Sequence, residues 1–231
     1  MHVLSYYLSK RITVAIDGPA GAGKSTIARR IASKLGYVYV DTGAMYRAVA
    51  LWALRRKVAV SDMHRLEQLA NEATIEFQPG TNAVMLNGED VSEAIRAPEI
   101  ADAASEISLI PAVRRALVSK QRSMGEQASV VMEGRDIGSV VFPDATIKIF
   151  LDADPQERTD RRARESSLPV EVVAQRIHER DRRDRTRSES PLVQAPDAVY
   201  LDTTGLTIDE VEAALLKLIR DRTSNGKERT N

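Results

Sequence analysis

The sequence predicts an α/β fold in which a mostly parallel sheet is covered by helices on both faces. Short apolar segments alternate with segments of helical periodicity, and this alternation is typical of parallel sheets. A glycine-rich turn also joins the first apolar segment to the first helical one. Because ligands of such folds bind beyond the carboxyl ends of the strands, functional residues are expected in the loops there. The strands are expected near residues 12–16, 37–40, 129–132, 146–151 and 198–201.

The helices of this alternation have their own signals. The segment 24–35 has helical period and ends at Gly36, a residue typical of helix C-caps. Two helices are expected to start at Pro98 and Pro111, because proline fits the first turn of a helix. The remaining helices are predicted over 45–56, 62–73, 170–187 and 208–222.

The middle of the chain departs from the alternation. Residues 74–78 and 83–87 alternate apolar and polar side chains, which is typical of strands with one buried face. Turn residues separate and follow them, namely Pro79-Gly80-Thr81-Asn82 and Asn87-Gly88. A small antiparallel sheet is therefore expected as an insertion in the α/β chain.

The composition excludes several classes of protein. The sequence contains no cysteine, which rules out disulfides, thiolate metal sites and a cysteine nucleophile. Its 33 basic and 33 acidic residues balance, which argues against a nucleic-acid-binding protein. No apolar run approaches the roughly 18 residues that span a bilayer, and Met1–Arg11 lacks the apolar core of a signal peptide. We therefore expect a cytoplasmic protein with neither a membrane nor a nucleic-acid partner.

The strongest motif is the glycine-rich turn, which fits G-x-x-x-x-G-K-[ST] without a mismatch. Backbone N–H groups of such a loop and the following helix N-terminus attract phosphate oxygens. Lys24 is expected to reach the β- and γ-phosphates, and Ser25 to hold Mg²⁺. The sequence thus predicts an ATP site formed by Gly18, Pro19, Ala20, Gly21, Ala22, Gly23, Lys24, Ser25 and Thr26.

This loop alone does not say what is done with the triphosphate. A GTPase is disfavoured because the sequence has no N-K-x-D string to read guanine. The segment Phe150-Leu151-Asp152 superficially resembles the acidic strand end of motor-type ATPases, so an ATPase stays open as an alternative.

Arginine is distributed unevenly along the chain. Between Arg158 and Arg187 there are ten arginines, six acidic residues and no lysine. The planar guanidinium grips phosphate at two points, whereas lysine supplies only a point charge. This choice favours a phosphate-handling surface over a solvated helix face.

Three further places present arginines near expected strand ends. Arg47 follows the second strand, in the first turn of the next helix and on a stripe with apolar residues. A buried arginine is costly unless an anion or a carboxylate compensates it. On one face of the late helix lie Arg180, Asp184 and Arg187, which can bind a sugar hydroxyl beside a phosphate. A structural ion pair remains the alternative at each place, as it does for Arg135-Asp136 after the third core strand.

Four short strings of the sequence carry a family resemblance, namely Ile16-Asp17-Gly18-Pro19, Asp41-Thr42-Gly43-Ala44-Met45-Tyr46-Arg47, residues 133–143 and residues 179–185. They resemble bacterial cytidylate kinases, and the resemblance covers nearly the whole chain, from about Ile12 to Arg220. The phosphate loop that follows the first string is common to many families, but the other three strings are specific. The family more often has Asp at the position of Glu133.

The resemblance implies a P-loop nucleoside-triphosphate hydrolase type of fold. Its sheet would have five parallel strands in the order 2-3-1-4-5, with an inserted monophosphate-binding sub-domain at about 62–127. A short lid is expected at about 158–172, followed by an arginine-rich helix over 173–187. The core would comprise 11–61, 128–157 and 188–222, and the polar tail 223–231 is expected to be flexible.

The resemblance also implies the reaction, which is ATP-dependent phosphorylation of CMP and dCMP to CDP and dCDP in pyrimidine nucleotide metabolism. Mg²⁺ would enter with ATP, and the family default is a monomer. Acceptor-site residues implied by the matching strings are Asp41, Thr42, Tyr46, Arg47, Ser105, Arg114, Arg135, Asp136, Arg180, Asp184 and Arg187.

Within that set the resemblance assigns separate roles. The cytosine contacts would be Ser105, Arg114 and Asp136, and the ribose contacts Arg180 and Asp184. The acceptor phosphate would be held by Arg47, Arg135 and Arg187. Catalytic residues would be Lys24 together with the lid arginines Arg158 and Arg162.

Two other functions remain compatible with the motifs. One is another P-loop kinase of small metabolites, of the UMP/CMP or shikimate type. The other is a regulatory or adaptor ATPase whose segment 158–187 binds a polyanionic partner. Dependence of ATP turnover on the acceptor distinguishes these functions.

Overall fold

The computed structural model describes residues 11–78, 80–81, 83–166 and 168–224. The expected turn residues Pro79 and Asn82, the N-terminal stretch before Arg11, and residues 225–231 of the predicted flexible tail lie outside the described residues. Within these ranges the α-helices are α1 (Lys24–Leu35), α2 (Thr42–Arg55), α3 (Met63–Glu72), α4 (Pro98–Ile107), α5 (Pro111–Gln127), α6 (Pro155–Ala163), α7 (Val170–Thr186) and α8 (Ile208–Ser224).

The strands form one large parallel sheet and one small antiparallel sheet. The large sheet has five strands in the order β2-β6-β1-β7-β8. Numbered along the chain among themselves, these strands have the order 2-3-1-4-5, which confirms the predicted topology. The strands are β1 (Thr13–Asp17), β2 (Val38–Asp41), β3 (Ile75–Phe77), β4 (Val84–Leu86), β5 (Glu89–Asp90), β6 (Val130–Gly134), β7 (Ile147–Asp152) and β8 (Val199–Asp202).

Each face of the large sheet is buried under helices. Alternate residues of a strand point to opposite faces, so Val14 and Ile16 of β1 pack with α1 and α8, while Ala15 packs with α2 and the insertion. The hydrophobic core on each face of the sheet contains fully buried aliphatic side chains, such as Ile31 on one face and Leu117 on the other. This burial on both faces explains why the strands read as continuous apolar runs in the sequence.

The insertion contains the expected hairpin and one more strand. In that hairpin Ile75 pairs with Leu86 in antiparallel register. The next turn has Asn87 and Gly88 at φ 51° and 84°, a left-handed pair that leads directly into β5. This two-residue strand was not predicted, because its side chains are acidic and exposed and carry no apolar alternation.

The segment predicted to begin the lid forms helix α6. The helix begins at Pro155, and the Asp154 carboxylate caps it by accepting from the N–H of Gln156 at 2.8 Å. It packs against α7, so Arg158 and Arg162 project from a helix rather than from a loop. The aspartate and proline that start α6 are sequence signals that were not used in the prediction.

Helix α2 also starts earlier than expected, at Thr42. The Asp41 carboxylate accepts from the N–H of Ala44 at 2.9 Å and so caps the helix. Arg47 therefore lies in the second turn of α2 and not in the first. After β6 the chain makes a π-helical turn over Ile137–Val141, whose first N–H groups are bound by Asp17.

Among the helices that the structure describes, none combines the length and apolar character needed to cross a bilayer.

Candidate functional site

The phosphate loop is shaped by its glycines. Gly18 has a φ of 147°, and a Cβ there would lie 1.9 Å from the carbonyl oxygen of Leu151. A Cβ on Gly21 would lie 2.7 Å from the carbonyl oxygen of Arg158. The loop therefore runs directly against β7 and α6, where only glycine fits.

Within this loop Lys24 is turned back onto its own backbone. Its Nζ donates to the carbonyl oxygen of Pro19 at 2.6 Å, and the residue is 5% exposed. Burial and the charge of Arg135 together lower the pKa of Lys24 to about 7. A bound triphosphate would supply the negative charge that the lysine lacks.

This low pKa predicts proton uptake on ATP binding. At about pH 8 the free protein holds Lys24 mostly neutral, whereas phosphate charge raises the pKa and favours the ammonium. We expect binding to take up about one proton at pH 8 and almost none at pH 6, where Lys24 is already charged. Calorimetric titration in two buffers of different ionisation enthalpy measures the uptake. Lys24→Met should abolish it, and equal uptake by that variant would contradict the assignment.

The surroundings of Ser25 suit a hard cation. Glu133 is buried near the end of β6 and close to Ser25, and it accepts from the hydroxyl of Tyr39 at 2.7 Å. Burial raises the pKa of Glu133, and the neighbouring Asp41 carboxylate raises it further. A divalent ion would relieve this crowding of carboxylates, and its preferred ligands are oxygens. In the described part of the chain, no group of three or more acidic or histidine side chains is placed to bind a metal without ATP.

A second pocket lies beside the phosphate loop, between α2, α4 and α7. It contains eight of the acceptor-site residues expected from the sequence, together with small residues that were not expected. The lining is Thr42, Gly43, Tyr46, Arg47, Ala101, Ala104, Ser105, Ser108, Gly134, Arg135, Arg180, Asp184 and Arg187.

Carboxylates compensate only part of the positive charge in this pocket. Arg47 pairs with Asp41 at 2.9 Å. Arg135 pairs with Asp184 at 2.8 Å, and Arg187 lies 3.5 Å from the same carboxylate. Asp184 thus pairs with two guanidinium groups, and the pocket has more arginines than carboxylates to pair with them.

Arg180 is the least compensated of these arginines. Among the residues that the structure describes, no carboxylate lies within 4.0 Å of its guanidinium. Partial burial and the charges of Arg135 and Arg47 together lower the pKa of Arg180 to about 10. Holding a partly buried cation next to other cations is costly unless an anion binds among them. The pocket therefore suits a phosphate.

Next to the lining residues Tyr46 and Arg187, Arg114 and Asp136 form a buried ion pair with an N–O distance of 2.5 Å, although neither lines the pocket itself. The Arg114 guanidinium also lies over the ring of Tyr46, 5.7 Å from its centre. Buried atoms without a hydrogen bond in the described structure include Arg114 Nε and Arg187 Nη2. Together these groups offer unused donors beside a carboxylate, which suits a polar heterocycle.

The two predicted lid arginines lie apart from this pocket. Arg158 is buried against the phosphate loop and donates to the Ala20 carbonyl at 2.9 Å. Arg162 is more than half exposed and pairs with Glu165 at 2.8 Å, although its charge reaches Arg180. Of the two lid arginines, Arg162 is the one whose charge acts on Arg180 of the pocket.

The small residues of the pocket were missed by sequence reasoning. Ala101, Ala104 and the C-cap Ser108 follow helical spacing with the predicted Ser105 along α4, which is a signal that could have been found. Gly134 had no such signal. A Cβ there would lie 2.7 Å from the hydroxyl of Thr42, a contact that only the folded chain creates.

The chain matches a known sequence family over most of its length. Residues 14–221 match the sequence family described as Cytidylate kinase. A cytidylate kinase of Solibacter usitatus is 61% identical over 226 residues, which cover 95% of this chain and 97% of that protein. A cytidylate kinase of Ligilactobacillus salivarius is 46% identical over 220 residues, covering 92% and 98% respectively.

Among solved structures, an uncharacterized protein from Eubacterium ventriosum is similar in fold. Its TM-score is 0.54 at 13% sequence identity, and the match covers 91% of this chain and 99% of that one. At this identity the likeness extends to the fold alone.

Proposed function

Because the chain belongs to the cytidylate kinase family, we propose that it transfers the γ-phosphoryl group of ATP to CMP and dCMP. The observation that carries the proposal is the excess of partly buried arginine charge beside the phosphate loop, above all at Arg180. A triphosphate and an acceptor phosphate held in neighbouring sites are what such a transfer requires.

The chemistry needs alignment and charge neutralisation more than proton transfer. An oxygen of the CMP phosphate, already anionic, attacks the γ-phosphorus of ATP. A new P–O bond forms as the bond to the β,γ-bridging oxygen breaks, and ADP leaves with that electron pair. Arg47, Arg135 and Arg187 would hold the acceptor phosphate, while Lys24 and Arg162 would neutralise charge on the group in transfer.

Mg²⁺ would enter with ATP and bind Ser25, near Glu133 and Asp41. It supplies positive charge to the β- and γ-oxygens when bound. Asp184 would accept a hydrogen bond from the ribose, beside Arg180. We propose a monomer in the cytoplasm as the working form, because both pockets are formed by residues of one chain.

Cytosine would lie near Arg114, Asp136 and Ser105. Its edge presents an amino donor beside two acceptors, which match a carboxylate and a guanidinium. Uracil presents an acceptor and an N–H donor at the corresponding positions. A site with buried polar groups rejects the wrong edge because its own groups are left unpaired.

An assay of ADP formation over a panel of acceptors tests this function. We expect turnover with CMP and dCMP, and at most slow turnover with UMP, AMP, GMP and shikimate. Turnover that depends on shikimate would indicate another small-metabolite kinase. ATP hydrolysis without acceptor dependence would indicate an adaptor ATPase and contradict the proposal.

The variant Asp136→Asn tests the cytosine contacts within the same assay. An amide can present either a donor or an acceptor, so we expect the CMP-over-UMP ratio of kcat/KM to fall by about tenfold. Asp144→Asn is the matched control, since this exposed aspartate lies eight positions later outside the pocket. An unchanged ratio in Asp136→Asn would place base recognition elsewhere.

A further inference from the structure

Asp181 connects helix α7 with the phosphate loop. It follows Arg180 in the sequence and is 8% exposed. Its Oδ1 accepts from the N–H of Ala20 at 3.0 Å, and its Oδ2 accepts from Arg158 Nη1 at 2.5 Å. A carboxylate of α7 thus binds the backbone of the loop that receives ATP.

Arg158 completes this connection by binding the carbonyl group of Ala20, whose N–H binds Asp181. Its Nη1 also donates to the carbonyl oxygen of Ala20 at 2.9 Å, and its Nε donates to the carbonyl oxygen of Ala153 at 3.1 Å. The backbone of Ala20 is therefore bound through both its N–H and its C=O. Because Gly21 packs directly on the Arg158 backbone, the loop has little freedom to shift relative to α6.

The neighbouring face of α7 carries the acceptor site. Arg180 and Asp184 line the pocket, whereas Asp181 between them points to the phosphate loop. One helix therefore contacts both sites through the adjacent residues Arg180 and Asp181. A displacement of about 1 Å between reacting groups can cost roughly 10²-fold in rate, so this separation matters for in-line transfer.

We propose that Asp181 is a positioning residue that sets the phosphate loop relative to the acceptor-binding face of α7. Through it, ordering of the loop by ATP is transmitted to Arg180 and Asp184, and CMP binding is transmitted back. This inference rests on the proposed function for the identity of the two ligands. Asp181 itself contacts neither reacting phosphate.

Two variants of the full-length chain test the inference. Asp181→Asn keeps the shape of the side chain and removes the charge that pairs with Arg158. Asp181→Glu keeps that charge, but its side chain is longer by one methylene and therefore displaces Ala20. The Kd for CMP is measured by calorimetry with and without a non-hydrolysable ATP analogue. The control is Glu179→Gln, an exposed residue of α7 that pairs only with Arg182 and Arg183 in the described structure.

The wild type and Glu179→Gln should bind CMP about tenfold more tightly when the analogue is present. In both Asp181 variants this coupling should fall below about threefold, although each ligand alone binds within threefold of wild type. We expect kcat to fall by about 10- to 100-fold in parallel. A purely structural role would lower the melting temperature and leave the coupling intact.

Four outcomes separate the possibilities. Full coupling and kcat in Asp181→Glu overturn the inference even if Asp181→Asn fails to fold. Absence of coupling in the wild type overturns it as well. A wild type that does not turn over CMP contradicts the proposed function, whereas normal turnover with both Asp181 variants unaffected contradicts this inference alone.

Discussion

Replacing Lys24 by alanine is expected to lower kcat/KM for phosphoryl transfer by about 10³-fold. In the described part of the chain the Lys24 side chain donates to the Pro19 carbonyl and is buried under the loop that receives the triphosphate. Its charge is therefore available to the β- and γ-oxygens as the transition state forms. A coupled assay of ADP formation with CMP measures the loss.

The fold of Lys24→Ala should be retained, because the substitution removes a buried cation whose pKa burial lowers. Circular dichroism and a thermal melt check this point. Lys217→Ala is the matched control, since Lys217 is exposed on α8 and pairs with Asp221. Activity of Lys24→Ala within tenfold of wild type would rule out the assigned site.

Replacing Arg180 by methionine is expected to have opposite effects on stability and on activity. The free protein has its partly buried guanidinium beside Arg135 and Arg47, so an apolar side chain of similar length removes repulsion and desolvation cost. The Tm should rise by about 2–4 °C for each kcal/mol relieved. The same change removes charge-assisted bonds to the acceptor, so kcat/KM for CMP should fall by about 10²- to 10³-fold.

Differential scanning calorimetry and steady-state kinetics on the same preparation measure the two effects. Arg182→Met is the control, because Arg182 is exposed on the same helix and pairs with Glu179. A lower Tm in Arg180→Met would show that the guanidinium has a stabilising partner. Retained activity would mean that the acceptor phosphate binds without it.

Local signals in the sequence were sufficient for most elements of the fold. The phosphate loop, the helix that follows it and the hairpin of the insertion depend on contacts between residues close in sequence, so glycine, proline and periodicity predict them. The strand order came from resemblance and not from periodicity, because apolar alternation does not say which strands are neighbours. Strand β5 and the π-helical turn at Ile137–Val141 were missed, since neither has a distinctive pattern.

The arginines show which features of the site the sequence determines and which ones the tertiary structure decides. Their number between Arg158 and Arg187, and the absence of lysine, indicated phosphate handling from the sequence alone. Only the tertiary structure separates Arg158, which binds the Ala20 backbone and Asp181, from Arg180, which has no carboxylate within 4.0 Å in the described chain. Arg158 and Asp181, 23 positions apart in sequence, meet through the packing of α6 on α7, and helical spacing does not specify that packing. The sequence determined the type of chemistry, whereas long-range packing decided which cations are already paired and which await an anion.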